Sequence, residues 1–124
     1  MDVGDEVAAA NRAFYDAHEA RDLEAMASVW RHGDDVVCIH PGWPILRGWG
    51  LVGESWRRIL DGAGRNQFIL TNLSLHVNAD TAWVVQDENL VDTGATSTIA
   101  ATNVFRLIDG DWKLVLHQGS PVAG

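Results

Sequence analysis

The chain has 124 residues, a length typical of one globular domain, and 47% of them are hydrophobic. The formal net charge of −8 and the scattered basic residues predict that nucleic acids and anionic membranes are not partners, because both would be repelled. The single cysteine, Cys38, excludes a disulfide within the chain and is typical of a small buried hydrophobe. No signal peptide and no apolar stretch of roughly 20 residues is visible, so a cytoplasmic protein is expected.

The first half of the chain has helical periodicity. Apolar residues at three- and four-residue spacing predict a first helix over residues 5–20, and Asp22 is typical of the N-cap of a second helix. The run "VVCI" at residues 36–39 indicates a short strand. After a segment rich in proline and glycine, the spacing of Val52, Trp56 and Ile59 predicts a third helix that ends before "DGAG".

The second half of the chain has strand periodicity. Residues 67–77 alternate, "NAD" is a turn, "TAWVVQDENLV" is a second long strand, and "DTGATS" at 92–97 is a predicted loop. Two more strands follow, joined by a hairpin at Asp109-Gly110. Helices first and strands last predict an α+β fold, with three N-terminal helices packed on one face of a strongly curved antiparallel sheet.

Aromatic residues suggest an apolar pocket. Six tryptophans are present, and each is singly most typical of core packing. Together with two phenylalanines they also suit the wall of a pocket for a small hydrophobic ligand. The candidate ligand-binding residues are Phe14, Trp30, Trp43, Trp56 and Phe105.

Histidines supply the candidate titratable groups. Alternation places His40 on one face with Val36 and Cys38 and carries it toward the interior, where burial favours a neutral ring. His117 shares a strand face with Lys113 and indicates an outer or dimer face, unless the strand end twists inward. His18 is expected at the surface. No HExxH or Cys/His cluster is present, so no metal and no cofactor are expected.

The motif order resembles a known superfamily. A helix, "RDLEAM", a strand, "HPGWP", the helix "ESWRRI" and a meander containing "NVFRLIDGDWKLV" are similar to nuclear-transport-factor-2-like (NTF2-like) proteins, and more narrowly to the SnoaL-like branch with its ketosteroid isomerases and polyketide cyclases. The resemblance covers nearly the whole chain and implies one SnoaL-like domain over residues 1–124. It also implies a cone-shaped barrel with a deep pocket between sheet and helices, and often a homodimer.

The resemblance assigns roles to three residues. His40 stands where the isomerases place the aspartate that acts as general base, and Asn103 stands where they place a second oxyanion donor. Their catalytic tyrosine corresponds to Phe14, with Tyr15 beside it. All three positions therefore depart from the isomerase pattern. The catalytic candidates are His40 as acid or base, with Asn103 and Tyr15 as hydrogen-bond donors; alternatively, His40 stabilises the turn and Asn103 satisfies a buried backbone group.

Two functions remain open at this point. One is an isomerase, cyclase or dehydratase acting on a small hydrophobic carbonyl compound. The other is a non-catalytic ligand-binding or dimerisation module with the same pocket. A second titratable group beside His40 would favour the enzyme. Of the adjacent acids Asp87 and Glu88 one must face inward, and Glu88 is interpreted as the solvated one. Apolar residues on both sheet faces predict a homodimer.

Overall fold

The computed structural model describes residues 2–62, 66–92 and 95–123. These residues form three helices and a six-stranded sheet. The two shortest strands lie in sequence between the second and third helices, and the four long strands follow the third helix. The helices are α1 (Val3–Ala20), α2 (Leu23–Val29) and α3 (Trp49–Asp61). The strands are β1 (Val37–Ile39), β2 (Leu46–Arg47), β3 (Gln67–Asn78), β4 (Thr81–Asp92), β5 (Ala95–Ile108) and β6 (Asp111–Pro121). The α+β prediction is confirmed, and the arrangement fits the cone-shaped NTF2-like fold.

Capping residues set the ends of the first two helices. The Asp2 carboxylate accepts a hydrogen bond from the Asp5 backbone N–H at 2.8 Å, so α1 begins two residues before the predicted start. Asp22 caps α2 as predicted, accepting from the Ala25 N–H at 3.0 Å. Within the described residues, no helix is long and apolar enough to cross a membrane.

The sheet is mixed, which corrects the expectation of a purely antiparallel one. Its order is β2-β1-β6-β5-β4-β3, and β1 runs parallel to β6 while the long strands pair antiparallel. Strand β1 follows the first two helices in sequence. It lies beside β6, the last strand, and runs in the same direction. The sheet is not closed, since β2 and β3 lie at opposite edges. The strand β2 was missed because two residues carry no periodicity.

The turns follow their residue chemistry. Asp109 and Gly110 have φ values of 52° and 86°, the positive pair that a tight hairpin between twisted strands requires. The predicted loop at 92–97 is shorter than expected, because β4 extends to Asp92 and β5 begins at Ala95. Residues 93–94 of that loop lie outside the described residues.

A β-bulge in β6 decides which side chains face the helices. Val104 pairs with Leu116 while Phe105 pairs with Leu114, so Val115 is the extra residue of β6. The bulge reverses the alternation, and both Leu114 and His117 are buried. The outward placement suggested for His117 is therefore wrong. The alternation rule assumes an unbroken ladder, which this strand does not have.

Candidate functional site

A cavity of about 310 Å³ lies between the helices and the inner face of the sheet. Its wall is built from α1, α3, the segment after β1 and the inner faces of β3 to β6. The lining residues are Phe14, Tyr15, His18, His40, Pro41, Trp43, Trp56, Ile59, Asn66, Phe68, Leu90, Glu88, Ile99 and His117. A mostly aromatic wall with a few convergent polar groups is typical of a small-molecule site.

The carboxylate of Glu88 belongs to this wall. Even-numbered residues of β4 face inward, and Glu88 is 6% exposed whereas its neighbour Asp87 is half-buried on the opposite face. The interpretation of Glu88 as the solvated acid is therefore wrong. Ala82 and Val84 face inward, and the alternation that continues from them places Glu88 on the same face. This pattern is hard to see in the sequence because the outward-facing residues Trp83 and Val85 are also apolar.

A chain of hydrogen bonds runs along the wall and ends at Glu88. His117 Nδ1 lies 2.6 Å from Asn103 Oδ1, Asn103 Nδ2 donates to the Tyr15 hydroxyl at 3.2 Å, and Tyr15 donates to Glu88 Oε2 at 2.5 Å. We call these four residues, Tyr15, Glu88, Asn103 and His117, the polar wall. Every donor in the chain points toward the carboxylate, so its negative charge is supported by successive dipoles.

A second layer of amides holds the polar wall from behind. Gln86 Nε2 donates to the Tyr15 hydroxyl at 3.0 Å, and Asn103 Nδ2 also donates to Asn11 Oδ1 at 2.9 Å. Asn11 Nδ2 in turn donates to Gln86 Oε1 at 2.8 Å. Because α1 supplies Asn11 and Tyr15, these bonds fix the helix against the sheet as well as fixing the wall.

The hydrogen bonds determine the tautomer of His117. The Asn103 amide nitrogen is occupied by Asn11 and Tyr15, so the Asn103 oxygen faces His117 and must accept from Nδ1–H. The Nε2 atom of His117 is then the acceptor nitrogen. Burial lowers the pKa of His117 to about 3, with a smaller effect from His40, so the ring is neutral.

Burial shifts Glu88 and Tyr15 in the same direction. Removal from water raises the pKa of Glu88 to about 7, although the hydrogen bond from Tyr15 acts against this shift. Burial and the adjacent Glu88 raise the pKa of the Tyr15 phenol, which stays protonated. A carboxyl group with a pKa near neutrality can both take up and return a proton at physiological pH.

His40 lies on the same cavity wall, buried as the alternation of β1 predicted. Its Nε2 atom is 2.9 Å from Ser55 Oγ, and Ser55 donates its single hydroxyl hydrogen to the Val52 carbonyl at 2.6 Å. His40 must therefore donate from Nε2, which leaves Nδ1 as its acceptor nitrogen. Burial lowers the pKa of His40 to about 4, so this ring is also neutral. Trp43 and Trp56 contact it edge-on, with centroids 4.9 and 4.7 Å away.

The surface position expected for His18 is wrong. Its ring lines the cavity between Trp56 and Phe68, with centroids 5.3 and 4.7 Å away, and burial lowers its pKa. Its Nδ1 atom is buried without a hydrogen-bond partner in the part of the chain that the structure describes. The position next to Ala17 on the buried stripe of α1 was the available signal.

Other predicted residues divide into two groups. Phe14, Trp43 and Trp56 line the cavity, whereas Asn103 does not border it and contributes to the polar wall through its hydrogen bonds with Tyr15 and His117. The expected lining by Trp30 and Phe105 is not seen, because both are packed in the core and neither borders the cavity. Among residues 2–62, 66–92 and 95–123, no group of three or more histidine, cysteine or acidic side chains could hold a metal ion.

Solved structures of proteins with different functional names have the same fold as this chain. A provisionally named dehydratase of the NTF2-like family from Streptomyces avermitilis is 38% identical, with a TM-score of 0.91 over 98% of this chain and 96% of that one. A provisionally named calcium/calmodulin-dependent protein kinase type II association domain from Thiobacillus denitrificans is 39% identical, with a TM-score of 0.86 over 94% of each chain.

A curated relative extends the comparison to plants. F-box protein SKIP8 of Arabidopsis thaliana is 31% identical over 110 residues, which are 89% of this chain and 47% of the relative. The chain therefore spans about half the length of the curated relative that it matches. The SnoaL-like domain model matches residues 7–124, nearly the whole chain. The chain belongs to the SnoaL-like family of the NTF2-like superfamily.

Proposed function

We propose that the protein is an enzyme that moves a proton on a small, mostly apolar carbonyl compound, as an isomerase, cyclase or dehydratase does. The observation that carries this proposal is the Glu88 carboxyl on the wall of an aromatic cavity, with a pKa of about 7 and a hydrogen bond from Tyr15. A binding protein does not need a carboxyl group poised between its two protonation states.

Glu88 is the acid/base group of the proposed reaction. Its Oε2 atom is held by Tyr15, and in the described residues Oε1 has no assigned hydrogen bond, so Oε1 can reach a ligand. The carboxylate would take a proton from the carbon beside the carbonyl and return it to another atom of the same substrate. Burial makes the carboxylate a stronger base than an exposed glutamate, because its charge is poorly solvated.

The role that we propose for His40 and His117 differs from the acid or base role that the sequence suggested for His40. At neutral pH His40 and His117 are neutral and weakly basic, since their pKa values are about 4 and about 3. We propose that Nε2 of His117 and Nδ1 of His40, the latter 3.9 Å from Cys38 Sγ, position the substrate by accepting hydrogen bonds. Asn103 is a positioning residue that orients Tyr15 and His117. Trp43, beside His40 at the cavity mouth, serves as the rim.

Proton abstraction can be tested without knowing the substrate. 4-Hydroxycyclohexanone incubated with the protein in D₂O should lose its α-proton NMR signals faster than in buffer alone. Glu88→Gln keeps the shape and should reduce that exchange by about 100-fold or more, the usual contribution of a general base. Asp87→Asn, which changes a carboxylate on the opposite face of the same strand, should retain the exchange. Equal exchange in wild type and Glu88→Gln would exclude Glu88 as the base.

A non-catalytic association module is the second candidate, and an exposed apolar surface supports it. Trp83 pairs with Val104, which pairs with Leu116, so these three side chains form one row across the outer face of the sheet; we call it the outer apolar row. Trp83 is 37% exposed. We propose that a homodimer covers this row. The similarity to a kinase association domain favours the module, and the exchange assay separates it from the enzyme.

A further inference from the structure

Acceptor atoms dominate the polar part of the cavity. His117 commits its Nδ1–H to Asn103 Oδ1, so only the Nε2 lone pair faces a ligand. Tyr15 commits its one hydrogen to Glu88. The ionised carboxylate of Glu88 can only accept. The polar wall therefore has lone pairs available and no free hydrogen to offer.

His40 extends this pattern. Its N–H is committed to Ser55, whose own hydrogen is committed to the Val52 carbonyl. The remaining ring nitrogen of His40 is an acceptor as well. Two further polar side chains of the lining are His18 and Asn66, and each can both donate and accept, so they favour neither kind of ligand.

The charges of the described residues around the cavity disfavour an anionic ligand. No lysine or arginine belongs to the lining formed by the described residues. The whole chain carries a formal charge of −8. An anionic ligand would lose its water shell on entry and would meet the lone pairs and the carboxylate of the polar wall, which makes its transfer unfavourable.

We propose that this site, taken as the substrate pocket of the proposed enzyme, selects uncharged molecules that present a hydroxyl group to the polar wall. It discriminates against carboxylates and against molecules whose only polar group is a carbonyl. Among carbonyl substrates it therefore favours hydroxy carbonyl compounds, the class that loses water in a dehydration, over simple ketones. A hydroxyl is suited because it donates to Glu88 or His117.

Three matched bicyclic probes test this selectivity by calorimetric titration at pH 8, where Glu88 is ionised. Indan-2-ol donates a hydrogen bond, indan-2-one only accepts, and indane-2-carboxylate is an anion of the same skeleton. Indan-2-ol should bind about tenfold more tightly than indan-2-one, the usual range for one hydrogen bond and the unpaired group left without it. The carboxylate should bind more weakly than either neutral probe.

Two variants should both reduce the preference for indan-2-ol, each by a different route. Glu88→Gln keeps an oxygen for Tyr15 and turns an NH₂ group toward the ligand, so indan-2-one should gain affinity and the preference for indan-2-ol should fall. His117→Phe removes an acceptor and should weaken indan-2-ol alone. Asp87→Asn is the matched control and should leave all three affinities unchanged.

The proposal is overturned if indan-2-one or the carboxylate binds wild type as tightly as indan-2-ol, or if indan-2-ol does not bind at millimolar concentration. These titrations need no turnover, so they are independent of the exchange assay. Selective binding of indan-2-ol without any α-proton exchange would support this inference and contradict the proposed enzyme. Exchange without the selectivity would do the reverse.

Discussion

The two faces of the sheet depart from the simple rule that apolar side chains lie inside and polar side chains lie outside. The inner face buries Gln86, Glu88 and Asn103, while the outer face exposes Trp83 and Val85 to 37% and 41%. Both arrangements are unfavourable for an isolated monomer unless something compensates. Inside, the compensation is the hydrogen-bond network that joins the polar wall to Asn11 and Gln86. Outside, it would be a partner, because an exposed apolar row marks an interaction surface.

The inner network should have the larger energetic weight. Asn103→Leu would remove the group that contacts Asn11, Tyr15 and His117, so three buried polar side chains would each lose a bond. We expect a loss of about 4 kcal/mol in the free energy of unfolding, measured by urea denaturation. Thr102→Val, one residue away on the outer face, should change it by less than about 0.5 kcal/mol. Similar losses in both variants would contradict the difference between the faces.

His117 should make the fold sensitive to acid. Its pKa of about 3 in the folded chain lies below the ordinary value of 6.5, so the unfolded chain binds the proton first as the pH falls. Stability from this group is present above pH 6.5 and is lost toward pH 3. Between pH 7 and 4, the free energy of unfolding of wild type should fall by on the order of 3 kcal/mol more than that of His117→Gln. Urea denaturation at each pH measures this difference. Parallel profiles would show that the buried ring does not titrate this way.

Glu88 should contribute a pH dependence of stability with the opposite sign to that of His117. Its pKa is raised from 4.5 to about 7, so the folded chain holds the proton more tightly than the unfolded chain. Its contribution is full below pH 4.5 and is lost as the pH rises through 7. Between these pH values the free energy of unfolding of wild type should fall by on the order of 3 kcal/mol relative to Glu88→Gln. A wild type that gains stability relative to the variant over this window would exclude the raised pKa.

The contrast between the faces also explains what the sequence could reveal. Helix periodicity, the Asp22 cap, the Asp109-Gly110 turn and the inward position of His40 are local signals, and the structure has them all. His117 was misplaced because a bulge at Val115 interrupts the ladder, and a bulge leaves no clear mark in a single sequence. The SnoaL-like motif order gave the fold because it spans the whole chain.

The candidate site was harder to predict because its bonds join distant residues. Tyr15 and Glu88 are 73 positions apart, and Asn11 and Asn103 are 92 apart. Local patterns contain no information on such pairs. Hydrophobicity was also misleading on β4, since the outer Trp83 is more apolar than the inner Glu88, and a rule that buries the apolar side chain chooses the wrong face.

The outer apolar row should have the smallest effect on the fold and a measurable one on assembly. Trp83 stacks on His76, with centroids 5.5 Å apart, and its side chain remains 37% exposed on the outer face, where a partner could cover it. Trp83→Lys places a charge in the centre of the proposed interface and should raise the homodimer dissociation constant at least tenfold, about 1.4 kcal/mol. Leu51→Lys, which changes an apolar side chain that is 60% exposed on α3, is the matched control and should dimerise as wild type does. Light scattering across a micromolar dilution series measures both. A wild type that is only a 13.6 kDa particle at every concentration would remove the dimer, and the apolar row would then need another partner.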